Sequence, residues 1–328
     1  MDANCDPGRA TLMDGNDSTG RARWLERSAS PGARPATFVA SVAVVVSTLF
    51  WGTLWIPLRR LSEAGAGGPW ATAAGFTLPL LVLLPFGLMR RRSIAAGGWP
   101  LVLAACVALY AEALLRGNVA RVILLFYLTP VWSTLLARVF LGEPITGARV
   151  ATITLGLVGM LVVFGAGSGV PIPRATAEWM GLLSGFLWGV SMVALRRVGP
   201  HASEFDNVFV QFVFLGALFA LWTLVPGGRA WTTPTAEVLV DSAPWLLLFG
   251  LVWMPVVLWL TMFGGSRLDP GRVAVLLTLE VVIGLVSAAL LTDEPFGARE
   301  LAGAVFITAA CGAEFFSGRP SVGRGGVS

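Results

Sequence analysis

The sequence predicts an all-α integral membrane protein: ten transmembrane helices built as two inverted five-helix repeats. Three observations predict it. Of 328 residues, 55% are hydrophobic and only 13% charged, where a soluble domain carries about 25% charged residues. Apolar runs of the length needed to cross hydrocarbon, about 20 residues each, recur ten times along the chain. The two halves also repeat one another's residues at fixed spacings. With a mean hydropathy of +0.76, a soluble globular or a disordered chain is excluded. The residues left outside ten spans are too few for an aqueous domain of ordinary size.

Residues 1–36 are rich in Asp, Gly, Ser, Pro and Arg. They cannot bury enough apolar surface to fold and read as a disordered cytoplasmic tail. They do not read as a signal peptide, because the first apolar run is a full-length span. The first repeat, 37–166, holds spans at 37–57, 69–89, 99–115, 119–141 and 148–166. The second, 167–316, holds spans at 177–196, 205–225, 244–263, 271–291 and 298–316. A longer connection falls near Gly227–Ser242, and 317–328 is a short polar cytoplasmic tail. Backbone polar groups must pair within the segment in hydrocarbon, so each span is expected to be helical. Spans 99–115 and 148–166 are the short ones, and the former contains Glu112.

All 23 basic residues are Arg, with no Lys. Together with abundant Ala and Gly, this suggests a GC-rich bacterial genome. The pI of 9.6 is better explained by Arg in cytoplasmic loops than by nucleic acid. With the N-terminus inside, fourteen Arg flank the spans on the cytoplasmic side and seven on the other, which places both termini in the cytoplasm of the plasma (bacterial inner) membrane. Arg59 and Arg60 run against that bias. Cys5 lies in the tail, while Cys106 and Cys311 lie in spans and read as small buried hydrophobes. The one His, His201, falls in a loop. No metal site and no cofactor are expected.

Self-similarity is the most informative pattern. Arg121–Pro144, RVILLFYLTPVWSTLLARVFLGEP, matches Arg272–Pro295, RVAVLLTLEVVIGLVSAALLTDEP, at an offset of 151. Ser47, Trp51, Gly52, Arg59 and Arg60 match Ser184, Trp188, Gly189, Arg196 and Arg197 at an offset of 137. The longer connection in the second half accounts for the difference between the offsets. Five spans per half is an odd number, so the second half enters from the opposite side. The halves are then related by a pseudo-two-fold axis in the membrane plane, an arrangement that usually builds secondary transporters with a midplane site.

At these residues the chain resembles the EamA family of the drug/metabolite transporter superfamily. The motifs are Phe50-Trp51-Gly52, Tyr127-Leu128-Thr129-Pro130, Gly142-Glu143-Pro144, Leu279-Glu280-Val281 and Asp293-Glu294-Pro295, within 37–316. The resemblance implies a ten-helix carrier with cytoplasmic termini and a central cavity open to one side at a time. Family members move amino acids, other metabolites, nucleotide sugars or drugs, many of them outward. The family commonly has Pro in both halves. Here Pro130 is kept and its counterpart is Val281, which puts a matching kink in the ninth span in doubt.

Glu280 lies mid-span, with Gly284 and Ser287 on its face. An ionisable group there costs about 2.5–3.5 kcal/mol on insertion scales and marks function by default. It is the candidate for binding a cationic group of a substrate or for carrying a coupling proton; the competing reading is a hydrogen-bonded packing residue. Glu112 has Arg116 at i+4 and reads first as a local ion pair. Arg121 and Arg272 open equivalent spans and are expected to snorkel or to bond helix ends. Arg138 and Glu314 are expected at the interface. Trp70, Trp99, Trp179 and Trp245 lie at span starts, where aromatic belts form. The deeper Trp51, Trp132, Trp188 and Trp253 could stack on a substrate or only fill helix contacts. Tyr110, Tyr127, Thr129 (the mate of Glu280) and Asn118 complete the cavity candidates. Gly181, Gly185 and Gly189 form GxxxG steps, read as an intramolecular packing or sliding surface ahead of a dimer interface.

The expected function is secondary transport of a small metabolite, an amino acid or related compound, outward across the plasma membrane by alternating access. The expected partners are the lipid bilayer, a small-molecule substrate and a candidate coupling proton, with no nucleic acid, the carrier being a monomer or weak homodimer. Without a Walker motif, ATP is not expected to drive it directly. An integral-membrane enzyme lacks the His that its motifs need, so the chain is not expected to be an enzyme. That reading and a non-transporting receptor or membrane partner are the alternatives.

Overall fold

A computed structural model describes residues 33–66, 69–89, 99–116, 119–164, 172–198, 203–223, 234–292 and 296–316. Most of the N-terminal tail, Asn118, His201, the Asp293-Glu294-Pro295 motif and the C-terminal tail lie outside the described residues. The rest is helical. The elements are α1 Ala33–Gly52, α2 Trp55–Glu63, α3 Pro69–Met89, α4 Trp99–Arg116, α5 Val119–Phe126, α6 Thr129–Leu141 and α7 Gly147–Phe164. There follow α8 Thr176–Val198, α9 Glu204–Thr223, α10 Ala236–Leu247, α11 Met254–Arg267, α12 Pro270–Leu277, α13 Leu279–Leu291 and α14 Ala298–Phe316. A π-helical stretch, Leu248–Trp253, joins α10 to α11.

Seven helical stretches are long and apolar enough to cross a membrane: Ala36–Glu63, Arg121–Leu141, Gly147–Phe164, Thr176–Arg197, Glu204–Leu221, Ala236–Gly265 and Pro270–Leu291. Ala73–Met89 and Trp99–Leu114 are shorter apolar helices, and α14 is of span length but carries Arg299, Glu300 and Glu314. The expectation of ten spans is met to that extent. Large apolar side chains stand on the outside, among them Leu81, Met89, Val139, Leu290 and Phe316. Such a surface suits acyl chains and would be a liability in water.

Several boundaries differ from the sequence expectation. The first helix starts at Ala33, before residue 37, because Ala33 and Arg34 are good helix formers and Pro35 is tolerated in a first turn. It then breaks at Thr53–Leu54. Pro57 has no N–H to give the Thr53 carbonyl, which accepts from the Ile56 amide at 3.0 Å instead. The short α2 that follows carries Arg59 and Arg60, both paired with Glu63, at 3.1 and 3.3 Å. The single Glu63 carboxylate offsets one of the two charges, so their exception to the charge bias stands. The connection placed near Gly227–Ser242 is helical from Ala236, where the Thr235 hydroxyl caps the Val238 amide. Pro244 and Pro255 flank the π-helical stretch, each removing a backbone donor.

The fourth and ninth spans are both broken, at equivalent places. α5 ends at Phe126 and α6 starts at Thr129; α12 ends at Leu277 and α13 starts at Leu279. A kink in the ninth span therefore does not need Pro. At each break the backbone tightens: the Leu128 amide bonds the Leu125 carbonyl and the Thr278 amide the Val275 carbonyl. Threonine hydroxyls take up freed carbonyls, Thr129 on Phe126 and Thr278 on Val275. A hydroxyl that folds back on its own turn replaces the missing helical donor in a medium without water.

The packing pattern repeats when the halves are exchanged. α4 packs on α8 as α11 packs on α1; α6 packs on α8 as α13 packs on α1; α3 meets α9 and α7 meets α14. The glycine face of α8 is an intramolecular surface. A Cβ at Gly185 would lie 2.5 Å from the Phe126 carbonyl, and one at Gly189 3.2 Å from the Ser133 amide. Gly52, the mate of Gly189, sits tighter still, its virtual Cβ 2.4 Å from the Glu280 carbonyl. The exchange is not exact: α6 packs along α12, whereas among the described residues the mate pair, α5 with α13, packs far less.

Candidate functional site

The two broken spans meet beside a pocket. The breaks turn Tyr127 and Thr129 of one half and Glu280 of the other towards it, and Trp51 and Trp188 reach it from repeat-equivalent positions on α1 and α8. Tyr110 and Cys106 enter from α4. Six of the residues singled out from the sequence thus border one space: Trp51, Tyr110, Tyr127, Thr129, Trp188 and Glu280.

Their geometry is specific. The Tyr127 hydroxyl donates to the Glu280 carboxylate, joining the two breaks. The Trp51 indole N–H donates to the Thr261 hydroxyl at 3.1 Å, which fixes that ring against α11. Phe126 is the centre of an aromatic cluster, with its ring centroid 4.4 Å from Tyr110, 5.4 Å from Tyr127 and 6.4 Å from Trp188. The Tyr127 and Trp188 contacts are edge-to-face, the geometry that ring quadrupoles favour. Among the described residues lining the pocket there is one carboxylate and no guanidinium. The result is an aromatic box with a single acid, suited to an apolar body that carries a cationic group.

The remaining candidates stand elsewhere. The Trp253 indole donates to the Phe50 carbonyl at 2.9 Å, a carbonyl next to the break in the first span. Trp132 stacks edge-on against Phe186, and its buried indole N–H meets no acceptor among the described residues. Glu112 is buried on α4, away from the pocket lining, and the side chain of Arg116, its expected partner, lies outside the described residues. Asn118 lies outside them as well. Pocket residues that sequence reasoning did not single out are Val107, Phe126, Ala274 and Leu277, along with Cys106, which was read as packing only. Apolar side chains in an apolar span carry no mark to separate a pocket face from a packed one.

Two charged clusters border the helix ends. Arg121 pairs with Glu178 at 2.6 Å and also bonds the Ile172 carbonyl at 3.0 Å. Its mate Arg272 bonds the Phe315 carbonyl at the end of α14 at 2.8 Å, as a helix-end role requires. Glu314, expected at the interface, is instead buried: it pairs with Arg149 at 3.0 Å and accepts from the Thr152 hydroxyl at 3.0 Å. A carboxylate this deep is stable only with such partners. Of the belt Trp, Trp179 is 58% exposed, whereas Trp99 is packed into the core at 4%.

Residues 39–165 and 175–313 each match the EamA-like transporter family. The chain is 28% identical over 175 residues to a probable amino-acid metabolite efflux pump of Escherichia coli (strain K12), covering 51% of this chain and 57% of that protein. It is 26% identical over 191 residues to the uncharacterized transporter YvbV of Bacillus subtilis (strain 168), covering 55% of this chain and 58% of that one. The matched part is thus under two thirds of either relative's length. A solved crystal structure superposes with a TM-score of 0.68 at 22% identity, over 84% of this chain and 97% of that one, a likeness of fold. With both halves matched and a multi-pass helical architecture around them, the chain belongs to the EamA-like transporter family.

Proposed function

We propose that the chain is a secondary carrier exporting a small amino compound, an amino acid or a related metabolite, across the plasma membrane by alternating access. The two halves act as inverted five-helix repeats with both termini cytoplasmic, and the aromatic pocket is the substrate site. Glu280 receives the cationic group, Tyr127 holds the carboxylate in place, and Trp51 and Trp188 flank the apolar body. The observation that carries this reading is the meeting of two equivalent helix breaks at one acid. Discontinuous helices at the junction of repeats are where carriers of this architecture bind their substrates. The unequal packing of α6 with α12 and of α5 with α13 supports a state closed at one mouth and open at the other. The Escherichia coli relative described as a probable efflux pump supports the outward direction.

The test is flux in liposomes over a panel of amino acids and amines. Wild-type protein is expected to move at least one of them well above empty vesicles, and Glu280→Gln and Glu280→Ala to lower that flux by tenfold or more. No flux of any panel member would remove the carrier reading. Wild-type rates in both variants would remove Glu280 from the site.

A further inference from the structure

The end of the bundle where α6 packs along α12 carries a pair of carboxyl groups, on opposite halves. α6 ends at Gly142, whose φ of 69° gives the left-handed turn a glycine adopts freely. That turn directs the next residue, Glu143, across to the loop between α11 and α12. There Asp269 caps α12, its Oδ1 accepting from the Arg272 amide at 2.9 Å and from the Arg149 guanidinium at 2.6 Å. The Glu143 carboxyl comes near enough to the Asp269 carboxyl for the two to share a hydrogen bond when one of them is protonated. Two carboxyl groups bonded to each other need one proton between them.

The surrounding charges do not remove that need. Arg149 is committed to Asp269 and Glu314, Arg272 to the Phe315 carbonyl, and Arg196 to the Ser266 carbonyl at 2.9 Å. No ion pair joins Glu143 to these guanidinium groups among the described residues. Its Oε2 is buried without a partner, as are Arg272 Nε and the Thr134 hydroxyl. Thr134 and Arg149 both crowd Gly271, where a Cβ would meet each at 2.4 Å. This seam is therefore tight, and it lies where α6 packs along α12. The facing groups, taken element by element, are Arg149 on α7, Arg196 on α8, Asp269 and Arg272 at the start of α12, and Glu314 on α14.

We propose that Glu143 and Asp269 together form a proton-binding site that latches this mouth: one proton is taken up as α6 and α12 come together and released to water as they part. The site gives the carrier a coupling ion distinct from its substrate acid, and it rests on the reading that the two halves move against each other. Burial first, then the neighbouring Asp269, pushes the Glu143 carboxyl up to about 9. Asp269 lies below its ordinary value despite its burial, because Glu143 and Arg149 bond its charged form. The sign follows. In an open mouth Glu143 titrates as an exposed carboxyl near 4.5. Between that value and about 9 only the open form ionises, so the closed form loses ground as pH rises and levels off above about 9. One proton per opening corresponds to a tenfold change in the open-to-closed ratio per pH unit.

Spin labels at Ile145→Cys and Ser203→Cys, in a Cys5→Ser background, would report the distance across this mouth in lipid vesicles between pH 5 and 10.5. Wild type is expected to shift to the longer distance with rising pH, by up to about tenfold per unit, and to level off above pH 9. Glu143→Gln, whose amide donates the same hydrogen bond at every pH, is expected to be flat. Asp269→Asn keeps the cap and should also lose the slope. A wild-type protein without pH dependence, or a Glu143→Gln protein with the wild-type slope, overturns the proposal. The readout needs no substrate. A latch that responds in a protein without flux would strike the carrier reading alone, and flux with no latch response would strike this one alone.

Discussion

The two mouths of the bundle are built from matching segments and finished differently. Arg149 and Arg299 occupy equivalent places after the fourth and ninth spans, each preceded by Gly-Ala. Arg149 is 15% exposed and bridges Asp269 and Glu314 of the other half. Arg299 is 53% exposed and, among the described residues, reaches only its neighbour Glu300, at 2.5 Å. By the repeat offset, the position matching Asp269 is Asn118, which has no charge to titrate. The duplicated frame thus supplies equal helices, while the side chains at their ends give one mouth a charged seam. Under the proposed alternating-access reading, a carrier with identical mouths would occupy its two facing states equally, and this difference would bias the pair.

The comparison can be broken most severely at the guanidinium groups. Arg149→Ala strands Glu314 and Asp269 at a buried seam, and about 3–5 kcal/mol of stability should go with it. Arg299→Ala should leave thermal unfolding in detergent unchanged. Equal losses in the two variants would mean that the seam is not special. A smaller effect is expected at the mated glycines. Gly52→Ala drives a methyl onto the Glu280 carbonyl and should cost about 1–3 kcal/mol by overpacking. Gly189→Ala, with 3.2 Å to the nearest atom, should cost less, and both are readable in the same melts. The smallest difference is at the breaks. Thr129→Val removes the hydroxyl from the Phe126 carbonyl and should cost about 1 kcal/mol. Thr278→Val should cost less, because Cys311 Sγ already donates to the Val275 carbonyl at 3.2 Å. A reversed order would show that the hydroxyls do not hold the breaks.

Much of the frame was readable before any coordinates. Apolar runs announce themselves, and the paired Trp-Gly and Arg positions announced the duplication. The pocket was readable where its residues are odd for their surroundings: Glu280, Tyr127 and Trp188 stand out in a run of Leu and Val. Leu277 and Ala274 do not, since the same side chains serve a pocket wall, a core or a lipid face. The kink in the ninth span was left in doubt for a related reason: Val281 stands where Pro would mark it, and the span breaks at Thr278 without one. The pairing of Glu314 with Arg149 was out of reach because the two lie 165 positions apart, and no local pattern encodes such a meeting.

α1 and α13 meet at two glycines, Gly52 and Gly284. Gly52 meets the Glu280 carbonyl, and the Gly52 carbonyl lies 3.3 Å from where Gly284 would carry a Cβ. Main chain rests on main chain there, with the stiff, β-branched Ile283 side chain beside it. The acid's footing is set by the pitch of the first helix, like a needle fixed to its spindle, and not by the freedom of its own methylenes. Leaning that helix would re-aim the acid at once, even with every atom of the pocket lining left as it is.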